Sequence, residues 1–284
     1  MFNVASKTVQ ATAAALVLTF TACGIVNKGE NPAEALYLSA DSAYNAGDYT
    51  RTIELLDTLK NRYPSEVATQ RKALHLRPQA TEKQTIKEMQ TTDSLCAYYL
   101  HVQDSLKQYF TFVNDPKLVE GYYVAKGLNS RNLFNTTGVE ARISPDGEFY
   151  MISSLTTRPV KHTSIVLKCG NDEASTATVT YDGDRNYRSG GTEMITFVGA
   201  ECDTIGKYLA VHPDANGSII FKGASNYTLP LSATDRQAIA RTYSLANAIA
   251  ESKRMAMRRD FLDKQLQLAR DQVARTSEET TTTK

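Results

Sequence analysis

Asp182, Asp184, Asn186 and Glu193 fall at the first, third, fifth and twelfth positions of a segment spaced like a calcium loop, where oxygen ligands converge on a hard cation. Tyr187 stands at the sixth position, where such loops need glycine, and Arg185 and Arg188 bring positive charge toward the ion. A polar hairpin loop is the competing reading. Cys169 and Cys202 share a strand-rich region and form a candidate disulfide in an oxidising compartment. Two buried free thiols are the alternative, because the sequence fixes no distance between their α-carbons.

Other chemistry finds little support, and no catalytic residue is assigned. His75, His101, His162 and His212 are scattered, none spaced with another ligand as zinc sites require, so no further metal site is expected. The chain has no Cys-x-x-Cys pair, no Gly-x-Ser-x-Gly elbow and no glycine-rich phosphate loop. Lys253, Arg254, Arg258 and Arg259 form a basic cluster that could meet anionic headgroups or an acidic partner, or be solvated helix surface. Tyr122-Tyr123, Phe149-Tyr150 and Tyr187 could build a sugar-stacking platform or serve as packing.

The elements that must hold these residues follow from composition and period. Of 284 residues, 42% are hydrophobic and 22% charged, the balance of a globular protein. The 32 Lys+Arg nearly cancel the 31 Asp+Glu, which argues against nucleic acid as a partner. With four cysteines the chain is no dense disulfide scaffold, and after the N-terminus no apolar run approaches the roughly 20 residues of a membrane-spanning helix.

Between Tyr122 and Pro230 apolar residues recur with period two, broken by turn signals such as Pro145-Asp146-Gly147. Expected strands are Val139–Ile143, Glu148–Leu155, Ser164–Lys168, Thr176–Tyr181, Glu193–Val198, Ser218–Lys222 and Asn226–Leu229. Upstream, Leu95, Tyr99, Val102, Leu106, Tyr109 and Val113 step in four-three alternation, a seam for a partner helix, after a break expected at Pro78. A second long helix begins at Ser232 with Asp235 in the capping-box position; Leu245, Ala248, Met255, Leu262, Leu266, Ala269 and Val273 mark its seam, interrupted by Ser252 and Arg259.

The first residues, with Lys7, a short apolar stretch and small residues before Cys23, have the layout of a secretory signal. The run Phe20-Thr21-Ala22-Cys23-Gly24 resembles the bacterial lipobox, with Phe20 where the lipobox has leucine. The resemblance implies lipid attachment at Cys23, and a covalent acyl anchor holds a water-soluble body on a bilayer. Gly24-Ile25-Val26-Asn27-Lys28 has neither the acidic neighbour of inner-membrane lipoproteins nor the acidic run of surface-displayed ones. The resemblance therefore implies the outer membrane facing the periplasm, with the cell surface as the other address.

Residues 32–64 resemble a tetratricopeptide repeat: Leu36, Ala40, Tyr44, Gly47-Asp48-Tyr49, Ile53, Leu56, Leu59 and Pro64 fall on its packing and turning positions, with Thr52 in place of its second-helix alanine. Together these features resemble uncharacterised Gram-negative outer-membrane lipoproteins. The expected fold class is α+β: signal peptide 1–22, tether 23–31, helical hairpin 32–64, stalk helices 65–115, inserted antiparallel β-sandwich or small barrel 116–230, C-terminal stalk helix 231–275 and disordered tail 276–284. The expected function is non-enzymatic binding or scaffolding of protein partners in the cell envelope. The alternative is a module binding glycan or another small ligand through the β domain. No cofactor is expected beyond the lipid, with calcium as the loop's candidate ion.

Overall fold

The structure, a computed structural model, describes residues 31–114, 120–156 and 159–282. Cys23 and the expected leader lie outside the described residues. The described residues form a mixed α+β fold with two antiparallel sheets and no closed barrel. The chain divides into two compact units, residues 1–80 and 81–284.

In the first unit, α1 (Pro32–Asn45) and α2 (Tyr49–Arg62) pack on the opening turns of α3 (Val67–Lys107). Asn31 caps α1, its Oδ1 accepting the Ala33 N–H at 2.9 Å, and Pro32 takes the position where a missing N–H costs nothing. Gly47 at φ +77 reverses the chain, and Asp48 caps α2 by accepting the Arg51 N–H at 3.0 Å. Ala33, Ala40, Leu56 and Leu59 are buried with Ala73 and Leu76. Thr52 is also buried, and its hydroxyl donates to the Asp48 carbonyl at 2.9 Å, so the polar group in the repeat's alanine position is satisfied. The break expected at Pro78 is absent, and α3 runs through it. Proline there deprives the Leu74 carbonyl of its donor, but Leu74 is exposed and solvent can replace it.

In the second unit α3 continues to Lys107, and α5 (Ala233–Thr282) runs the other way beside it. Arg270 pairs with Glu82 at 3.1 Å, Arg258 with Glu88 at 2.7 Å and Arg259 with Asp93 at 2.9 Å, and Gln103 donates to the Ala248 carbonyl at 3.1 Å. On α5 the expected seam residues Leu245, Ala248, Met255, Leu262, Leu266 and Ala269 are buried. On α3 the seam differs from expectation. Leu95 and Tyr109 are exposed, Thr92, Cys96 and Gln103 turn inward, and the helix stops at Lys107, so Val113 belongs to a strand. The polar members of this seam are invisible to a count of apolar residues.

Ser232 caps α5, its hydroxyl oxygen accepting the Asp235 N–H at 3.0 Å. The tail expected to be disordered from 276 is helical through Thr282. Thr276 and Ser277 return their hydroxyls to the Gln272 and Ala274 carbonyls, so the helix itself satisfies them.

The first sheet has the order β1-β2-β3-β4-β8-β7: Phe110–Val113, Tyr122–Ala125, Gly138–Ile143, Phe149–Leu155, Thr192–Val198 and Asn186–Ser189. The second has the order β10-β9-β5-β6: Asn226–Pro230, Ser218–Lys222, Ser164–Cys169 and Asp172–Ser175. Separate sheets with free edges remove the barrel. The β region starts at Phe110 rather than 116, and it contains a helix, α4 (Asp203–Val211), that period-two reading passed over. Thr176–Tyr181 is not a strand: after Thr176 the chain leaves the second sheet, and the Ala177 N–H goes to the Glu201 carbonyl at 2.7 Å. One apolar cluster joins both sheets to α4 and α5 through Ile143, Met151, Phe197, Ile165, Phe221, Leu209 and Ile239.

Candidate functional site

The calcium candidates do not converge. Asp182 and Asp184 stay in the loop, where the Asp182 carboxylate accepts the Asp184 N–H at 3.0 Å. The Asn186 amide donates to the Thr180 carbonyl at 2.8 Å and accepts the Gly183 N–H at 3.0 Å, which fixes the loop without an ion. Glu193 is buried on β8 and faces the core, since strand alternation carries it off the loop's ligand face. Among the described residues no cluster of His, Cys, Asp and Glu has the arrangement of a metal site.

Glu193 instead anchors a buried polar chain. Its carboxylate accepts the backbone N–H groups of Val160, Lys161 and His162 at 3.2, 2.6 and 3.2 Å, and lies 3.0 Å from His162 Nδ1. His162 Nε2 lies 2.9 Å from Ser153 Oγ. Burial pushes the Glu193 carboxyl upward, and the hydrogen bonds from His162 and Lys161 more than reverse this, holding it below the usual carboxylate range. Burial lowers the His162 imidazole despite the opposing pull of Glu193, which favours the neutral ring. The order serine, histidine, carboxylate is that of a nucleophile with its base and orienting acid. Here Ser153 and His162 are both 0% exposed, with the Phe221 ring edge-on at 5.3 Å from the imidazole, so the hydroxyl faces core rather than solvent. The chain ties β4, β8 and the segment entering β5 together. Sequence reading set His162 aside as a metal ligand for want of a spaced neighbour, and its partners in the structure lie 9 and 31 residues away.

Cys169 and Cys202 are both free and buried, and both belong to the apolar cluster between the sheets. Cys202 donates from Sγ to the Phe197 carbonyl at 3.3 Å, and burial pushes its thiol up to about 12. In this structure the second reading of the pair, two buried free thiols, is the one that appears. The basic cluster is spent in pairs: Arg258 and Arg259 meet acids of α3, Arg254 meets Glu251 at 2.6 Å, and Lys253 donates to the Asp146 carbonyl.

Of the two readings of the strand aromatics, packing is the one the structure shows. Tyr122 lies under Arg142, Tyr123 packs on Phe112, Phe149 is core, and Tyr187 meets Phe134. Three tyrosines that sequence reading did not group do converge. Tyr98 and Tyr99 of α3, Lys207 and Val211 of α4, and Tyr243 and Asn247 of α5 line a groove of about 400 Å³. Gly206 makes it possible, because a β-carbon there would overlap the Tyr243 ring. Tyr98 is 59% and Val211 65% exposed.

A second concavity lies on the outer face of the first sheet. Val139, Ala141 and Ile143 of β3 face the core, so Glu140 and Arg142 between them face outward. The segment between β2 and β3 folds over this face: Ser154 donates to the Leu133 carbonyl, Thr192 to the Phe134 carbonyl at 3.2 Å, and Arg131 to the Val139 carbonyl at 3.2 Å. Beneath it is a cavity of about 320 Å³ whose lining includes Arg131, Arg142, Asn132, Phe134, Ile152 and Met194. Glu140 and Arg142 pair at 2.6 Å, and their i, i+2 spacing on a strand was the available sequence signal. Comparison with protein-family models, with curated proteins and with solved structures returned no match.

Proposed function

We propose that this protein is an envelope lipoprotein, anchored by acyl chains on Cys23 and facing the periplasm, that binds or scaffolds other proteins without catalysing a reaction. In chain order, residues 32–64 act as a tetratricopeptide-like hairpin, α3 and α5 as an antiparallel stalk, and the strands between them as an inserted sandwich. The observation that carries the reading is the groove lined by Tyr98, Tyr99, Val211 and Tyr243, which exposes aromatic and apolar side chains beside Lys207 and Asn247. Exposed apolar surface rimmed by polar groups is the ordinary mark of a protein-binding face, and tyrosine is prominent among the residues that dominate such contacts.

The test is site-specific photo-crosslinking in cells, with the reactive residue at position 98 or 211 and a control at Lys168 on β5. A discrete adduct from the groove positions, absent from the control and lost on Tyr243→Ala, is expected; adducts equal at all three positions would overturn the reading. The anchor is tested separately by incorporation of labelled palmitate, which Cys23→Ala should abolish.

A further inference from the structure

Glu140 is 1% exposed, its Oε1 accepts Arg142 Nε at 2.6 Å, and its Oε2 has no hydrogen-bond partner among the described residues. Burial drives its carboxyl upward, against the pull of Arg142 and Arg131. A buried ion pair that leaves an oxygen unsatisfied is commonly no more stable than apolar side chains of the same volume. What the pair does supply is orientation. Glu140 on one edge and the Tyr122 ring, 3.9 Å from the guanidinium carbon, fix Arg142 in the wall of the outer-face cavity.

Arg131, held by the Val139 carbonyl and by Asp235 at 2.6 Å, lines the same wall. A guanidinium has more donors than these partners take, and its planar fork matches a carboxylate. Asn129, Ser130 and Asn132 add neutral polar groups, while Ile152, Met194 and Phe134 add an apolar floor and rim. Beyond their pairs with Glu140 and Asp235 both guanidiniums keep N–H donors for a carboxylate, and the exposed asparagine amides and Ser130 hydroxyl can exchange water for ring hydroxyls.

We infer that this cavity binds a small acidic sugar: Arg142 and Arg131 take its carboxylate, the asparagine amides its hydroxyls, and Ile152, Met194 and Phe134 the C–H face of its ring. The volume of about 320 Å³ is at the small end of ligand sites and suits one or two rings. The inference does not depend on the scaffolding reading. Glu140 is a positioning residue, because it acts through Arg142.

The experiment is titration calorimetry on the full chain in detergent, with glucuronate and galacturonate as probes against glucose, galactose and acetate. A uronate affinity at least tenfold above that for the neutral sugars and acetate is expected. Arg142→Lys, which keeps the charge and loses the fork, should weaken uronate at least tenfold while leaving Tm in place. The double variant Glu140→Met with Arg142→Met should abolish binding with Tm unchanged or higher. Absence of uronate binding, equal binding of uronate and neutral sugar, equal binding of acetate, or undiminished binding by Arg142→Lys would each overturn the inference.

Discussion

The Gln103 amide of α3 lies 2.6 Å from the Ser252 hydroxyl of α5, both buried within a seam where leucine and alanine would pack as well. Gln103 also donates to the Ala248 carbonyl, so one amide ties down two points of the opposite helix. Polar residues at seam positions cost stability and fix register, because a slip by one turn leaves them unpaired.

Removing one partner should therefore hurt more than removing both. Gln103→Ala is expected to lower stability by about 1–2 kcal/mol, while Gln103→Leu combined with Ser252→Ala should stay within about 1 kcal/mol of the parent in urea unfolding. A double variant as unstable as the single one would show that the amide packs rather than pairs.

Gly147 ends the Pro-Asp-Gly turn at φ +93, a left-handed conformation that an L side chain adopts with strain, and a β-carbon there would overlap Ile249 of α5. Gly147→Ala should cost about 2–3 kcal/mol, from the backbone and from the displaced isoleucine together. Trimming the isoleucine in Gly147→Ala/Ile249→Ala should recover part of the loss caused by the clash. Thermal unfolding of the single and double variants checks both statements.

The His162–Glu193 pair sets a sign for the pH dependence. His162 is held below its usual value of 6.5, so below that pH the unfolded chain binds the proton more readily, and stability falls as pH falls. Glu193, also depressed, adds a second loss as acid reaches its own lowered range. Glu140 is raised and works in the opposite sense, its contribution being lost as pH rises through its folded value. The comparison is therefore between parent and His162→Gln: between about pH 7 and pH 5 the parent should lose stability at up to about 1.4 kcal/mol per pH unit that the variant does not. Parallel curves would exclude His162 as the group responsible.

Legibility followed the range of the interaction. The α1–α2 hairpin was readable because Gly47, Asp48 and the apolar period act within a few residues, and the Pro145-Asp146-Gly147 turn likewise set β3 against β4. The α5 seam was readable because it is apolar; that of α3 was misplaced because the polar Thr92 and Gln103 fill buried positions. α4 was lost between strands, its apolar face short. The outer-face cavity depends on a loop from 126 to 137 closing over Glu140 and Arg142, and the Ser153–His162–Glu193 chain on β4, β8 and the segment entering β5 meeting. No local pattern announces either.

The thiols give the last prediction. Cys169 and Cys202 were a candidate pair for an oxidising compartment; both are free and buried, and burial raises each thiol, Cys202 to about 12. The thiolate is the reactive form in disulfide chemistry, so a raised and inaccessible thiol resists oxidation even where oxidant is present. In a Cys23→Ser/Cys96→Ala background, a thiol-specific chromogenic disulfide reagent at neutral pH should find neither cysteine in the folded chain. After unfolding in guanidinium without reductant, both should react. Silence after unfolding would mean that a bridge does form, which would require the Sγ of Cys202 to leave the Phe197 carbonyl.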